Sequence, residues 1–149
     1  MCIRDRLEQS LKIRQQVLGA EHPDVAESLN NLAFLYSAQG RYTEAEPLYI
    51  QALDMIKKLL GSEHPSVTTS INNLALLYST QGRYTEAEPL FIQALDMGKK
   101  LLGAEHPSVA TSLNNLALLY KSQGRYTDCL LYTSPSPRDV NRSRMPSSA

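Results

Sequence analysis

Three histidines, His22, His64 and His106, each stand between a glutamate and a proline, and they recur every 42 residues. Imidazole is the side chain most often used for acid–base work and metal binding near neutral pH, so spacing has to decide between chemistry and architecture. Ligands of one ion sit about 2 Å from it, whereas these three are locked to the same Glu-His-Pro turn in successive copies of one unit. A structural or surface role is expected of them, and no metal site. Both cysteines, Cys2 and Cys129, lie outside the repeating part of the chain, which leaves 7–128 with no thiol, disulfide or cysteine-based metal chemistry. No enzymatic activity and no cofactor are expected.

The unit that carries each histidine is nearly invariant. It reads EHPDVAESLNNLAFLYSAQGRY from Glu21, EHPSVTTSINNLALLYSTQGRY from Glu63 and EHPSVATSLNNLALLYKSQGRY from Glu105. Residues 48–86 align without a gap to 90–128, with 31 of 39 pairs identical. A fixed period of this length means a stacked array, in which each unit leaves an apolar face that the next one covers. Near-identical units suit a surface that reads a partner periodically, whereas catalysis needs one asymmetric cluster of unlike groups.

Within a unit the punctuation predicts two helices. Pro65 suits a first helical position, where a missing N–H is harmless, and the spacing of Val67, Ile71, Leu74, Ala75 and Tyr78 predicts a buried stripe on a helix over about 66–81, ended by Gly82. The Thr85-x-x-Glu88 spacing fits a capping box for a second helix over about 85–101, with Pro89 within or at the edge of its first turn and Gly103 as its stop. Ala87, Phe91, Ala94, Leu95 and Leu102 form the partner stripe. Gly98 stands where the preceding unit has Ile56 and the first has Arg14, and an exposed position is expected for it.

The two ends read differently. Residues 1–6, MCIRDR, and the stretch from Cys129 can be encoded by one nucleotide sequence read from opposite strands, and they resemble translated sequencing-adapter sequence. The expected organisation is an adapter-like 1–6, an array over 7–128 and an adapter-like disordered tail over 129–149. Without the ends, ten basic residues face thirteen acidic ones, and the balance of the whole chain is accidental. There is no basic stripe for nucleic acid and no apolar run near the roughly 20 residues that cross a bilayer. A soluble, cytoplasmic protein that binds neither nucleic acid nor membrane is the expectation.

Leu32-Ala33-x-x-Tyr36, Gly40-x-Tyr42-x-x-Ala45, Tyr49 and Ala52-Leu53 resemble the tetratricopeptide repeat, and the 42-residue period with Gly-x-Glu-His-Pro resembles its kinesin-light-chain type. The resemblance implies an all-α fold, a right-handed superhelical solenoid of helix-turn-helix repeats: a partial B helix, two complete A/B units and a final A helix. It also implies that one face of each A helix lines a concave groove. At 100° per residue that face carries Asn30 and Phe34 in the first unit, Thr69, Asn72, Leu76 and Ser79 in the second, and Thr111, Asn114, Leu118 and Lys121 in the third. An Asn amide offers two donors and an acceptor, so Asn30, Asn72 and Asn114 could hold an extended peptide while Phe34, Leu76 and Leu118 supply apolar contact. Asn31, Asn73 and Asn115 are expected to point toward the neighbouring unit instead. Lys121 is the sole cation of this face, which departs from the carboxylate clamp of some chaperone-binding members of the family.

A protein-interaction scaffold for a peptide or partner helix is therefore expected. Its rivals are a regulatory arm of a signalling ATPase or protease and a purely structural array. The last A helix, with Leu113, Leu116 and Tyr120 lacking cover, suggests self-association through an uncapped C-terminal repeat.

Overall fold

The computed structural model describes residues 3–124, and among them it contains helices only: α1 Ile3–Leu18, α2 Pro23–Ala38, α3 Tyr42–Leu60, α4 Pro65–Thr80, α5 Tyr84–Leu102 and α6 Pro107–Ser122. Pairs α2/α3 and α4/α5 are the two complete hairpins, α1 is the leading B helix and α6 the closing A helix. α1 runs from Ile3 without a break at Arg6, so the adapter-like residues 3–6 belong to it; Cys129–Ala149 lie outside the described residues.

Each A helix begins on the Glu-His-Pro turn. The histidine is the N-cap: its Nδ1 accepts the backbone N–H of Asp24, Ser66 or Ser108 at 3.0, 3.1 and 3.1 Å, and proline follows at the first helical position. The repeated His-Pro is thus a start signal, in which imidazole takes the place that Ser, Thr, Asp or Asn usually fills. Helix α4 ends on Gly82, at φ +77°, where Arg83 N–H donates to the Tyr78 carbonyl at 2.8 Å and Gly82 N–H to Ser79 at 3.0 Å. Only a residue at ease in the left-handed region closes this pair of bonds.

The link to α5 is so short that Arg83, the last residue of that turn, is also the N-cap of α5. The capping box expected at Thr85 does not form, because Thr85 is already helical. Arg83 has no capping side-chain bond; instead its guanidinium bridges to Glu86 at 2.8 and 2.5 Å. Pro89 sits past the first turn, inside the helix.

The buried stripe of α4 is the expected one, Val67, Ile71, Leu74, Ala75 and Tyr78, with Thr68, Ser70 and Leu77 added. On α5, Ala87, Phe91, Ala94 and Leu95 are buried, and so is Gly98, contrary to the expectation of an exposed position. A Cβ on Gly98 would lie 3.4 Å from Val109 Cγ2 of α6 and 3.9 Å from Thr68 Cγ2 of α4, so three helices meet there. The end of the array also differs from expectation: Leu116 and Tyr120 are buried and Leu113 half-buried. Helix α6 packs on α5 and touches α4, and Tyr120 Oη donates to Glu88 at 3.1 Å.

Consecutive A helices, α2 with α4 and α4 with α6, approach one another more closely than α1, α3 and α5 do among the described residues. The A layer is therefore the compressed, inner side of the stack. Polar ties recur at the same register between units. Tyr36 Oη donates to Glu8 at 2.9 Å and Tyr78 Oη to Glu46 at 3.0 Å; Lys58 pairs with Glu21 and Lys100 with Glu63 at 2.6 Å. Exposed pairs of this kind contribute ~0–1 kcal/mol each, so register rests mainly on the apolar stripes.

Candidate peptide groove on the A-helix face

The inner layer carries a row of exposed apolar side chains that the core does not claim: Phe34 is 66% exposed, Leu76 44% and Leu118 58%. They sit at one register of α2, α4 and α6, where a helix buried all round would have none. Thr69, Thr111, Asn114 and Lys121 are exposed on the same helices, and Asn30, Asn72 and Ser79 are half-buried.

Two clefts open between successive A helices at equivalent places. The first, about 310 Å³, is lined by Pro23, Glu27, Asn30, Ile56, Ser66 and Thr69 among others. The second, about 670 Å³, includes Thr68, Thr69, Asn72, Leu76, Thr111 and Asn115. Further along the first pair of helices, Phe34 and Leu76 flank a third depression of about 380 Å³ with Tyr42 and Tyr49 at its side. The structure thus brings together Asn30 with Thr69, Thr69 with Asn72, Leu76 and Thr111, and Phe34 with Leu76. Ser79, Asn114, Leu118 and Lys121 line none of these clefts.

The asparagines divide their work differently from the expected scheme. Asn72, not Asn73, ties one unit to the next: its Nδ2 donates to Ser112 Oγ at 3.0 Å. Ser112 Oγ in turn donates to the Ser108 carbonyl at 3.2 Å, so its lone pair faces Asn72 and the amide must present its NH2 there. Oδ1 of Asn72, like that of Asn30, is buried without a hydrogen-bond partner among the described residues. Asn73 and Asn115 are half-buried on the wall of the second cleft, and Asn31 is exposed. Counting 100° steps cannot separate adjacent residues here, because the approach of the next A helix decides which one it meets. Thr68 and Ser112 were missed in the sequence, although Thr68 departs from Ala26 and Ala110 at equivalent positions; Gly98 was singled out by its departure from Ile56 but expected to be exposed.

Ionisable groups near the A-helix ends serve the frame. The Arg83 guanidinium lies 4.1 Å over the Tyr78 ring, reaches Glu46 at 2.9 Å and holds the Glu86 carboxyl below its ordinary range by hydrogen bonding. Burial, then the bond to Glu46, raises the Tyr78 hydroxyl, and burial alone pushes Tyr49 up to about 12.

Stacked helical hairpins with a compressed inner layer and a repeated exposed row define an α-solenoid of interaction repeats. The chain belongs to the tetratricopeptide repeat family, whose model matches residues 3–58, 24–100 and 66–128. Among solved structures it is similar to the nearly identical TPR-like repeats of a kinesin light chain candidate from Podosopora anserina, at 31% identity and TM-score 0.76 over 98% of this chain and 69% of that one. BtubC (BKLC) from P. vanneervenii shares the fold, at 23% identity and TM-score 0.78 over 98% of this chain and 59% of that one. The array is thus of the kinesin-light-chain type. Nephrocystin-3 of Xenopus laevis is 46% identical over 46 residues, 31% of this chain, and the match spans 4% of nephrocystin-3; that of Xenopus tropicalis is 47% identical over an equal share. A tetratricopeptide array supports a protein–protein interaction scaffold in general.

Proposed function

We propose that the chain is a non-enzymatic scaffold that holds an extended peptide along the face formed by α2, α4 and α6. The observation that carries this is the row Phe34, Leu76 and Leu118, exposed at one register of three successive helices beside clefts lined by Asn30, Asn72, Thr69 and Thr111. Packed helices lie about 10 Å apart and an extended chain advances about 3.3 Å per residue, so each rung meets roughly every third residue of the peptide. Apolar side chains of the ligand then alternate with amide contacts to its backbone. Kinesin-light-chain-type relatives agree with an interaction role.

Selection of peptides from a random library on the whole chain, followed by mapping of backbone amide shifts, tests the reading. The expected shifts centre on Phe34, Thr69, Asn72, Leu76 and Thr111. Shifts confined to the outward faces of α3 and α5 would overturn it.

A further inference from the structure

In an array whose units are almost copies, departures from the copy mark where one unit does something its neighbours do not. Thr68 stands where the other A helices have Ala26 and Ala110, and Gly98 where the preceding B helix has Ile56. These two departures touch, since Thr68 Cγ2 lies 3.9 Å from where a Gly98 Cβ would be. Thr68 lines one cleft, and Gly98 lies behind it, in contact range of Thr68 and one turn from Leu102, which also lines it. The equivalent cleft in the preceding unit has Ile56 as part of its wall and is less than half as large, about 310 against 670 Å³.

Two residues that line the enlarged cleft also carry a buried oxygen without a partner. Thr68 is 2% exposed, and its Oγ1 is buried without a hydrogen-bond partner among the described residues, as is Asn72 Oδ1. The bond from Asn72 to Ser112 fixes Oδ1 as the group left over, and a carbonyl oxygen only accepts. Neither oxygen is reachable from open solvent, so whatever pairs with them has to penetrate between α4 and α6. No Asp, Glu, Lys or Arg lines the cleft. An ammonium entering it would lose hydration without a counter-charge, and a carboxylate would bring further acceptors. A carboxamide brings two N–H donors for the two oxygens, while Asn73 and Asn115 on the wall carry donors for its carbonyl.

Resting on the groove reading above, we propose that the cleft between α4 and α6 accepts one uncharged carboxamide side chain, that of glutamine or asparagine, from the bound peptide, and that Thr68 and Gly98 determine this preference.

The test titrates the isotope-labelled whole chain with three acetylated and amidated pentapeptides, Ala-Ala-Xaa-Ala-Ala, in which Xaa is Gln, Glu or Met. The Gln peptide should bind at least ten-fold more tightly than the other two, shifting the Thr68 and Gly98 amides and the Asn72 side-chain NH2. Thr68→Val, which keeps the shape and removes the hydroxyl, should lower its affinity several-fold. Gly98→Ile should abolish the preference; should that variant fail to fold, Gly98→Ala, whose Cβ fits at 3.4 Å from Val109, should reduce it. Equal binding of all three peptides on the inner face, or a Gln preference indifferent to both positions, overturns this inference and leaves the groove standing. Absence of any inner-face shift with all three overturns both.

Discussion

The two clefts on the inner face are built from the same positions and end up different. In the first, Ile56 forms part of the wall and Ala26 stands where the second has Thr68; in the second, Gly98 offers no side chain at the equivalent place and Thr68 adds a hydroxyl. The serines are shared: Ser70 and Ser112, both buried, occupy equivalent places on α4 and α6. Two exchanges, one that deletes a side chain and one that adds a hydroxyl, accompany a larger cleft that no Asp, Glu, Lys or Arg lines, where the first carries Asp24 and Glu27, and the period is undisturbed. Repetition therefore supplies the frame, and individuality enters through single residues at the seams between units, where three helices meet.

The largest effect is expected from converting the first cleft into the second. Ile56→Gly removes a buried side chain, a truncation costing ~2–5 kcal/mol, and places glycine in a helix for about 1 kcal/mol more; thermal unfolding should show a large drop in the midpoint. Leu74→Ala, in the buried stripe of α4, should cost ~2–5 kcal/mol by the cavity alone, measured by denaturant unfolding. The reverse exchange has the opposite sign: Gly98→Ala should raise stability by up to about 1 kcal/mol, since the added methyl meets its neighbours at ordinary contact distance. A lowered midpoint there would mean that α6 cannot accept even one methyl and that the recess is closed.

Loss of the shared start signal should be felt next. His64→Ala removes the cap of α4 and should cost ~0.5–2 kcal/mol, while His64→Asn should restore most of it; equal loss in both would show that the ring packs rather than caps. The smallest effect separates the two B helices, which carry Tyr49 and Phe91 at one buried position. Burial raises the Tyr49 hydroxyl to about 12, above the ordinary value of about 10. The unfolded chain therefore loses this proton first, so the contribution is intact below pH of about 10 and is lost as pH rises toward 12. Tyr49→Phe should change little at neutral pH and flatten the alkaline decline of stability.

Much of this was legible in the sequence. The period fixed the stack, the Val67–Ile71–Leu74–Tyr78 spacing fixed the buried face, and Phe34, Leu76 and Leu118 are exposed where the helical count placed them. Local signals failed where tertiary contact outweighs them. Thr85 resembles a cap but is pre-empted by the Gly82–Arg83 turn, and Gly98 looks like a tolerated surface glycine until α4 and α6 close over it. Leu116 and Tyr120 were expected to lack cover and are buried. The roles of Asn72 and Asn73 depend on where the next helix approaches, which no single helix records.

The central claim is that the inner face holds a peptide through its exposed row, and the affinity of one selected peptide for the triple variant Phe34→Ser, Leu76→Ser and Leu118→Ser tests it most directly. These side chains are 66%, 44% and 58% exposed, so the variant should keep its helical signal and nearly its melting midpoint while losing at least ten-fold in affinity. Unchanged affinity with the fold intact would contradict the account and move the binding surface off this face.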